Sequence, residues 1–147
     1  MYTIAQIADW FLAHESMTLP KLQELTYYAQ GWSNALLKKP LISTEFVAQK
    51  SGAVSNNLLE KYSDYSYTEI PQKKDYVDEI NNSVVEDLLN SVWVTYGNRC
   101  ADELIALTHK EPPWKKARKR FNFHNKYGNI ISDKDMEDYY LSIYIGD

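Results

Sequence analysis

Apolar residues recur every three or four positions along much of the chain, which is the spacing of amphipathic α-helices. The first apolar stripe follows Thr3 and runs to about His14, and the second follows Thr18 and ends near Lys38. Thr3 begins a capping-box spacing, and Pro20 suits the first turn of a helix, where its missing N–H costs nothing. We therefore predict two helices over these stretches.

The remaining apolar stripes are shorter. A capping-box spacing from Ser83 to Glu86 introduces the cleanest of them, and Gly97 would supply the left-handed residue that ends many helices. Pro112 and Pro113 forbid continuation of the preceding helix and can start another. The helices predicted here cover residues 55–62, 83–96, 101–108, 114–119 and 132–143.

Residues 41–80 include stretches without a helical period. The segment 46–48 followed by Gly52 predicts an extended or turn structure, and Tyr65, Tyr67 and Ile70 alternate with polar residues in a way that allows a short strand. We predict a mainly α protein, a compact single-domain bundle of about six helices over residues 1–147. The sequence also allows a short β ribbon in the 41–80 region.

Length and composition set the protein class. A chain of 147 residues suits one domain that buries roughly 68–70% of its unfolded surface. Its first residues lack the features of a secretory signal, and no apolar run approaches the ~20 residues of a membrane span. The single Cys100 excludes an intramolecular disulfide and a thiolate metal cluster. We predict a cytoplasmic protein with no membrane contact.

The formal net charge of −4 is unevenly distributed. Residues 1–109 carry 8 basic and 14 acidic side chains, whereas residues 110–126 carry 7 basic and 1 acidic. A basic band of this kind can meet phosphates or an acidic protein surface. A solvated helix face is an equally good interpretation of the same charges.

Two segments hold large aromatic residues at fixed offsets, KLQELTYYAQGW at 21–32 and THKEPPW at 108–114. Together with the residues between them, they resemble the Panacea domain family of antitoxins, which includes the phage-associated GepA-like and SocA-like proteins. Two positions depart from the pattern: Ala53 replaces a proline and Cys100 a serine helix cap. The matching positions are Leu22, Tyr28, Trp32, Phe46, Gly52, Val54, Trp93, Gly97, Thr108, His109 and Pro113.

The resemblance implies the antitoxin of a bacterial or prophage toxin–antitoxin pair. Such a protein neutralises a cognate toxin encoded nearby by binding it directly. Related members resemble adaptors that deliver the bound toxin to a cytoplasmic protease, so a protease is a second expected partner to test.

His109 is the obvious candidate for catalysis or metal binding. A metal site needs three or four ligands, and the chain offers only His14, His124 and one cysteine besides its carboxylates. No nucleophile motif accompanies the histidine. We therefore predict no enzymatic activity, no metal and no cofactor. We expect His109 to be structural, with its ring hydrogen-bonded to a carbonyl near a helix end.

Aromatic residues and cations are the candidates for partner binding, because aromatics dominate interface hot spots. Periodicity places Tyr28 in the core with Trp32 and Trp93, but it leaves Tyr27 one helical step away and partly exposed. Lys21 lies in a first helical turn, where a cation is unfavourable, so we expect a carboxylate partner, inside the protein rather than outside it. The candidates are Trp114, Lys115, Lys116, Arg118, Lys119, Arg120, Tyr27 and Lys21.

Two functional classes remain open at this point. One is protein binding through the basic band, and the alternative is a phage-associated regulatory protein that binds nucleic acid through residues 110–126. The acidic net charge and the absence of a recognised reading helix make nucleic acid the weaker alternative. The aromatic residues also allow a homo-oligomer.

Overall fold

The computed structural model describes residues 1–66, 68–120 and 129–145. Within these ranges there are seven α-helices, which are α1 (Ile4–His14), α2 (Leu19–Leu36), α3 (Asn56–Lys61), α4 (Ser83–Tyr96), α5 (Ala101–Lys110), α6 (Pro112–Lys119) and α7 (Asp133–Ile145). Three short strands accompany them: β1 (Val47–Gln49), β2 (Gly52–Val54) and β3 (Asn129–Ile130). The predicted mainly α class with a short β ribbon is confirmed.

Helix α2 lies at the centre of the fold. Fourteen of its 18 residues are buried. Helices α1, α4, α5 and α7 and strand β2 all pack against it. Because other elements surround α2, the polar side chains that it carries must find hydrogen-bond partners inside the protein.

The starts of the first three helices follow their sequence signals. Thr3 and Gln6 form a complete capping box at α1, Thr18 accepts from the Lys21 amide at α2, and Ser55 caps α3. Each cap satisfies a backbone amide that has no partner within the helix. These local predictions are confirmed.

The N-cap of α4 lies one residue earlier than the predicted Ser83. Asn82 is the N-cap, and its side-chain oxygen accepts from the amides of Val84 and Val85. Ser83 is the first helical residue, so the predicted capping box is wrong. Glu86 instead accepts a hydrogen bond of 2.9 Å from the indole nitrogen of Trp10.

The end of α4 also differs from the prediction. Gly97 has a φ of −66° and is right-handed, so the left-handed stop is wrong. Glycine is needed there for space, because a Cβ atom would lie 2.5 Å from the Trp93 ring.

The β ribbon occupies residues 47–54, and β3 extends it. Strands β1 and β2 form an antiparallel hairpin, and β3 pairs antiparallel with the other edge of β1. The strand allowed near residues 65–70 is not formed: a 3-10 helix covers Ser63–Tyr65, and Ile70 makes an isolated bridge with Met17. Tyr67, which was part of the predicted strand, lies outside the described residues.

No helix in the described ranges is long and apolar enough to cross a membrane.

Candidate functional site

The corner between α5 and α6 holds the second aromatic motif. Pro112 and Pro113 lack a backbone N–H, so α5 cannot continue through them, but both fit the first turn of α6. Glu111 is the N-cap of α6, and its buried side chain turns into the core. The corner thereby directs one face towards α2 and the other towards the β1–β2 hairpin.

Trp114 is attached to that hairpin. Its indole N–H donates to the backbone oxygen of Gln49 at 3.0 Å, with that of Gly52 at 3.3 Å. The His109 ring stacks on it with centroids 4.1 Å apart, and the Arg118 guanidinium lies 5.7 Å from its centroid. The indole N–H and much of the ring surface of Trp114 are therefore in contact with other parts of the protein. Trp114 is therefore half-buried and holds α6 in place.

His109 does not make the contact predicted for it. Its Nε2 is buried and has no hydrogen-bond partner among the described residues. The ring is held by stacking on Trp114, so the predicted hydrogen bond to a carbonyl is not observed in the described structure. No group of three or more His, Cys, Asp or Glu side chains in the described ranges could hold a metal ion.

The described part of the basic band, residues 110–120, divides into two sets, and Lys126 lies outside the described residues. Lys116 and Arg120 both reach Asp135 on α7, and Arg118 donates to the backbone oxygen of Ala48. The second set makes no ion pair with any described residue and is solvent-exposed. It consists of Lys110, Lys115 and Lys119, which we call the free lysines.

Lys21 has an internal partner, but the partner is not a carboxylate. Its Nζ donates to the backbone oxygen of Gly97 at 2.7 Å and lies 5.9 Å from the Trp93 ring centroid. Gly97 caps the C-terminus of α4, where the helix dipole favours a positive charge. The predicted Asp or Glu partner is therefore wrong, and Lys21 caps α4 from the first turn of α2.

The aromatic residues of the first motif lie inside the fold. Tyr27 has no exposed surface, so the prediction that it is partly exposed is wrong, and it offers no surface to a partner. Tyr28 is also fully buried and stacks on Tyr96 at 4.1 Å. Trp32 and Trp93 are half-buried, and the Trp32 indole donates to the Tyr96 hydroxyl at 2.9 Å.

Most of the other motif positions are also buried. Gly52 is left-handed, with a φ of 111°, and a Cβ atom there would strike the Glu24 carboxylate. The buried motif residues besides Tyr28 and Gly97 are Leu22, Phe46, Gly52, Val54, Thr108 and Pro113.

A buried polar cluster beneath the corner was not predicted from the sequence. Glu24 is hydrogen-bonded to the Thr108 hydroxyl at 2.6 Å and accepts from the Ala53 amide at 3.0 Å. Glu111 is hydrogen-bonded to the Tyr28 hydroxyl at 3.0 Å and accepts from the Tyr140 hydroxyl at 2.8 Å. The two carboxyl groups thus join α2 to β2, α5, α6 and α7.

Burial perturbs both acids of this cluster. Removal from water raises the pKa of Glu24 from 4.5 to about 8, although the hydrogen bonds from Thr108 and Ala53 oppose the increase. It raises the pKa of Glu111 to about 7, against the opposing effect of Tyr140 and Tyr28. Glu24 lies one helical turn before Tyr28, but the apolar period of α2 alone did not indicate that this glutamate is buried.

The family comparison identifies the chain. The family model described as "Antitoxin SocA-like, Panacea domain" matches residues 22–115, from the first motif of α2 to the first turns of α6. Neither the curated proteins nor the solved structures gave a significant match. The matched region is more than half of the 147 residues and contains the motifs that form the α2 core and the α5–α6 corner. The chain therefore belongs to the SocA-like antitoxin family with a Panacea domain.

Proposed function

We propose that this protein is the antitoxin of a toxin–antitoxin pair and that it neutralises a toxin encoded nearby by binding it directly. The observation that carries the proposal is the family match over residues 22–115. The structure is compatible with a binding role, since its core motifs build a scaffold in which large aromatic side chains are packed inside.

The free lysines are the best-supported contact surface on this scaffold. Lys115 and Lys119 are one helical turn apart on α6, and Lys110 ends the neighbouring helix α5. Their charges have no ion-pair partner among the described residues. Unpaired surface charges steer encounter with a surface of opposite sign. We therefore propose that the toxin presents an acidic surface to the free lysines.

Charge reversal tests the surface. We expect Lys115→Glu/Lys119→Glu to weaken toxin binding by about tenfold or more, because attraction becomes repulsion at two positions. The measurements are the affinity for the toxin from the neighbouring gene and the rescue of growth when both are co-expressed. The matched control is Lys39→Glu/Lys74→Glu, which makes the same charge change at two exposed lysines with no ion pair to a described residue.

The possible results distinguish an error in the proposed contact surface from an error in the proposed antitoxin function. Full rescue by the Lys115→Glu/Lys119→Glu variant would remove the free lysines from the contact while leaving the antitoxin proposal intact. Failure of the wild type to bind or rescue any neighbouring toxin would contradict the antitoxin proposal itself. Lys116 and Arg120 are unsuitable for this test, because their reversal would also break their contacts with Asp135.

Nucleic-acid binding is the alternative for the same band. It is less well supported because Lys116, Arg118 and Arg120 already have partners inside the protein. Phosphate contacts would make affinity fall steeply with salt. Tight, salt-sensitive binding of DNA in a gel shift, lost in the Lys115→Glu/Lys119→Glu variant, would favour this alternative.

The manner of neutralisation is a separate question. A blocking antitoxin leaves the toxin's lifetime unchanged, whereas an adaptor for proteolysis shortens it. Following the toxin after synthesis is stopped, in hosts with and without their main cytoplasmic proteases, distinguishes the two. Size-exclusion chromatography of the free protein and of the complex tests for a homo-oligomer.

A further inference from the structure

A continuous chain of hydrogen bonds connects the two buried carboxyl groups. Glu24 Oε2 contacts the Thr108 hydroxyl at 2.6 Å, and this hydroxyl contacts the Tyr28 hydroxyl at 3.0 Å. The Tyr28 hydroxyl in turn contacts Glu111 Oε1 at 3.0 Å. All four residues are buried, with Glu24, Tyr28 and Thr108 at 0% exposure and Glu111 at 3%.

The number of available protons decides the charge of this chain. Each of its three contacts requires one proton between two oxygen atoms. Thr108 and Tyr28 have one hydroxyl proton each, so together they supply two of the three. The third proton must belong to a carboxyl group, either Glu24 or Glu111. If both acids were ionised, one contact would bring two oxygen lone pairs together without a proton.

We propose that Glu24 and Glu111 retain a shared carboxyl proton at neutral pH, exchanged along the Thr108–Tyr28 chain, and that its loss in alkaline solution loosens α5–α7 from α2. With the proton on Glu24, the order of donation runs from Glu24 through Thr108 and Tyr28 to Glu111. With the proton on Glu111, every donor and acceptor reverses. Both arrangements satisfy all three contacts.

The described titratable groups that face the two acids are all tyrosines, which supply no positive charge. They are Tyr28 and Tyr27 from α2, Tyr96 from α4, and Tyr139 and Tyr140 from α7. Tyr140 donates to Glu111, and the Tyr27 hydroxyl faces Tyr140 without reaching hydrogen-bond geometry. Among the described residues no lysine, arginine or histidine forms an ion pair with either acid. A second negative charge would therefore be buried without a cation, which is costly.

Carboxyl NMR measures the shared proton directly. In protein labelled with ¹³C at glutamate side chains, we expect at least one of the two buried carboxyl signals to report a protonated acid at pH 7. The Glu24→Gln and Glu111→Gln variants assign the signals. The measurement on the wild type needs no substitution and so does not depend on whether a variant folds.

The same variants also distinguish a proton shared by the two acids from two buried acids that titrate independently. A glutamine amide supplies the missing proton, so the carboxyl that remains in either single variant no longer needs one. We expect that carboxyl to titrate lower by about one pH unit or more than in the wild type, as coupled sites do. The matched control is Glu86→Gln, a half-buried glutamate bound to Trp10 outside the chain, which should leave both titrations unchanged.

Substitutions of Thr108 test whether the two acids are coupled through its hydroxyl. Thr108→Ser retains the hydroxyl and should preserve the coupling, whereas Thr108→Val removes it and should uncouple the two titrations. Two fully ionised carboxylates in the folded wild type at pH 7 would overturn the proposal. So would titration of one acid that does not respond to replacement of the other. If the amide spectrum loses the signals of the packed core at the same pH as the carboxyl proton is lost, the proposed loosening of α5–α7 from α2 is supported. An amide spectrum that does not change above that pH would overturn the loosening.

Discussion

Gly52 supports the buried polar cluster because its missing side chain leaves space for the Glu24 carboxylate. It starts β2 with a φ of 111°, a left-handed conformation that residues with a side chain adopt at a cost. The space above it is occupied by the Glu24 carboxylate, which reaches the neighbouring Ala53 amide. The hairpin backbone and the buried acid therefore depend on each other.

Gly52→Ala should destabilise the protein by about 1–3 kcal/mol, because a left-handed alanine is strained and its Cβ displaces Glu24. Urea denaturation measures the change in unfolding free energy. Ser51→Ala at the adjacent exposed position is the control and should stay within about 0.5 kcal/mol of the wild type. Equal stability of the two variants would contradict the described fit of Glu24 over Gly52.

At the scale of elements, α6 is a short helix with contacts on three sides. Trp114 binds it to the β1–β2 hairpin, Arg120 binds it to α7, and the prolines fix its start at the α5 corner. An eight-residue helix is too short to be stable alone, so these contacts hold it. Two of the free lysines, Lys115 and Lys119, therefore project from a helix whose position is set by other elements.

Trp114→Phe should cost about 1–3 kcal/mol of unfolding free energy, because an aromatic ring remains while the hydrogen bond to the hairpin and part of the packed indole surface are lost. The measurement is again urea denaturation, paired with toxin affinity. A structural role predicts a small loss of stability with affinity largely retained. Unchanged stability with a large loss of affinity would instead make Trp114 a direct contact of the partner.

At the scale of the whole molecule, the buried acids make stability depend on pH. Both have raised pKa values, so the folded state holds their protons more tightly than the unfolded chain does. Their contribution is therefore fully present below pH 4.5, the ordinary pKa, and is lost as the pH rises through about 7 and about 8. Since Glu24 and Glu111 connect α2 to α7, the effect concerns the central packing.

The unfolding free energy should therefore fall by several kcal/mol between pH 5 and pH 9, since each unit of pKa difference is about 1.4 kcal/mol. Denaturation midpoints measured across this range provide the check. The Glu24→Gln/Glu111→Gln variant has no acid to titrate in the cluster, so its curve should be much flatter. A wild-type protein that becomes more stable from pH 5 to pH 9 would contradict the raised pKa values.

Local chemistry made much of the secondary structure predictable. The caps at Thr3, Thr18 and Ser55 act within three or four residues, and so does the spacing of apolar side chains along a helix. The short ribbon was indicated by residues 46–52 for the same reason. The motif residues also carried the family resemblance, because their order along the chain is a property of the sequence alone.

Only the tertiary structure decided which polar groups meet. The period of α2 shows its apolar stripe but not that other elements cover nearly its whole circumference, which is why Tyr27 is buried and Glu24 becomes part of the core. The partner of Lys21 is 76 residues away, and Glu24 meets Thr108 across 84. Such pairs depend on how helices pack, and the free lysines differ from the paired cations only because Asp135 and the hairpin lie where they do.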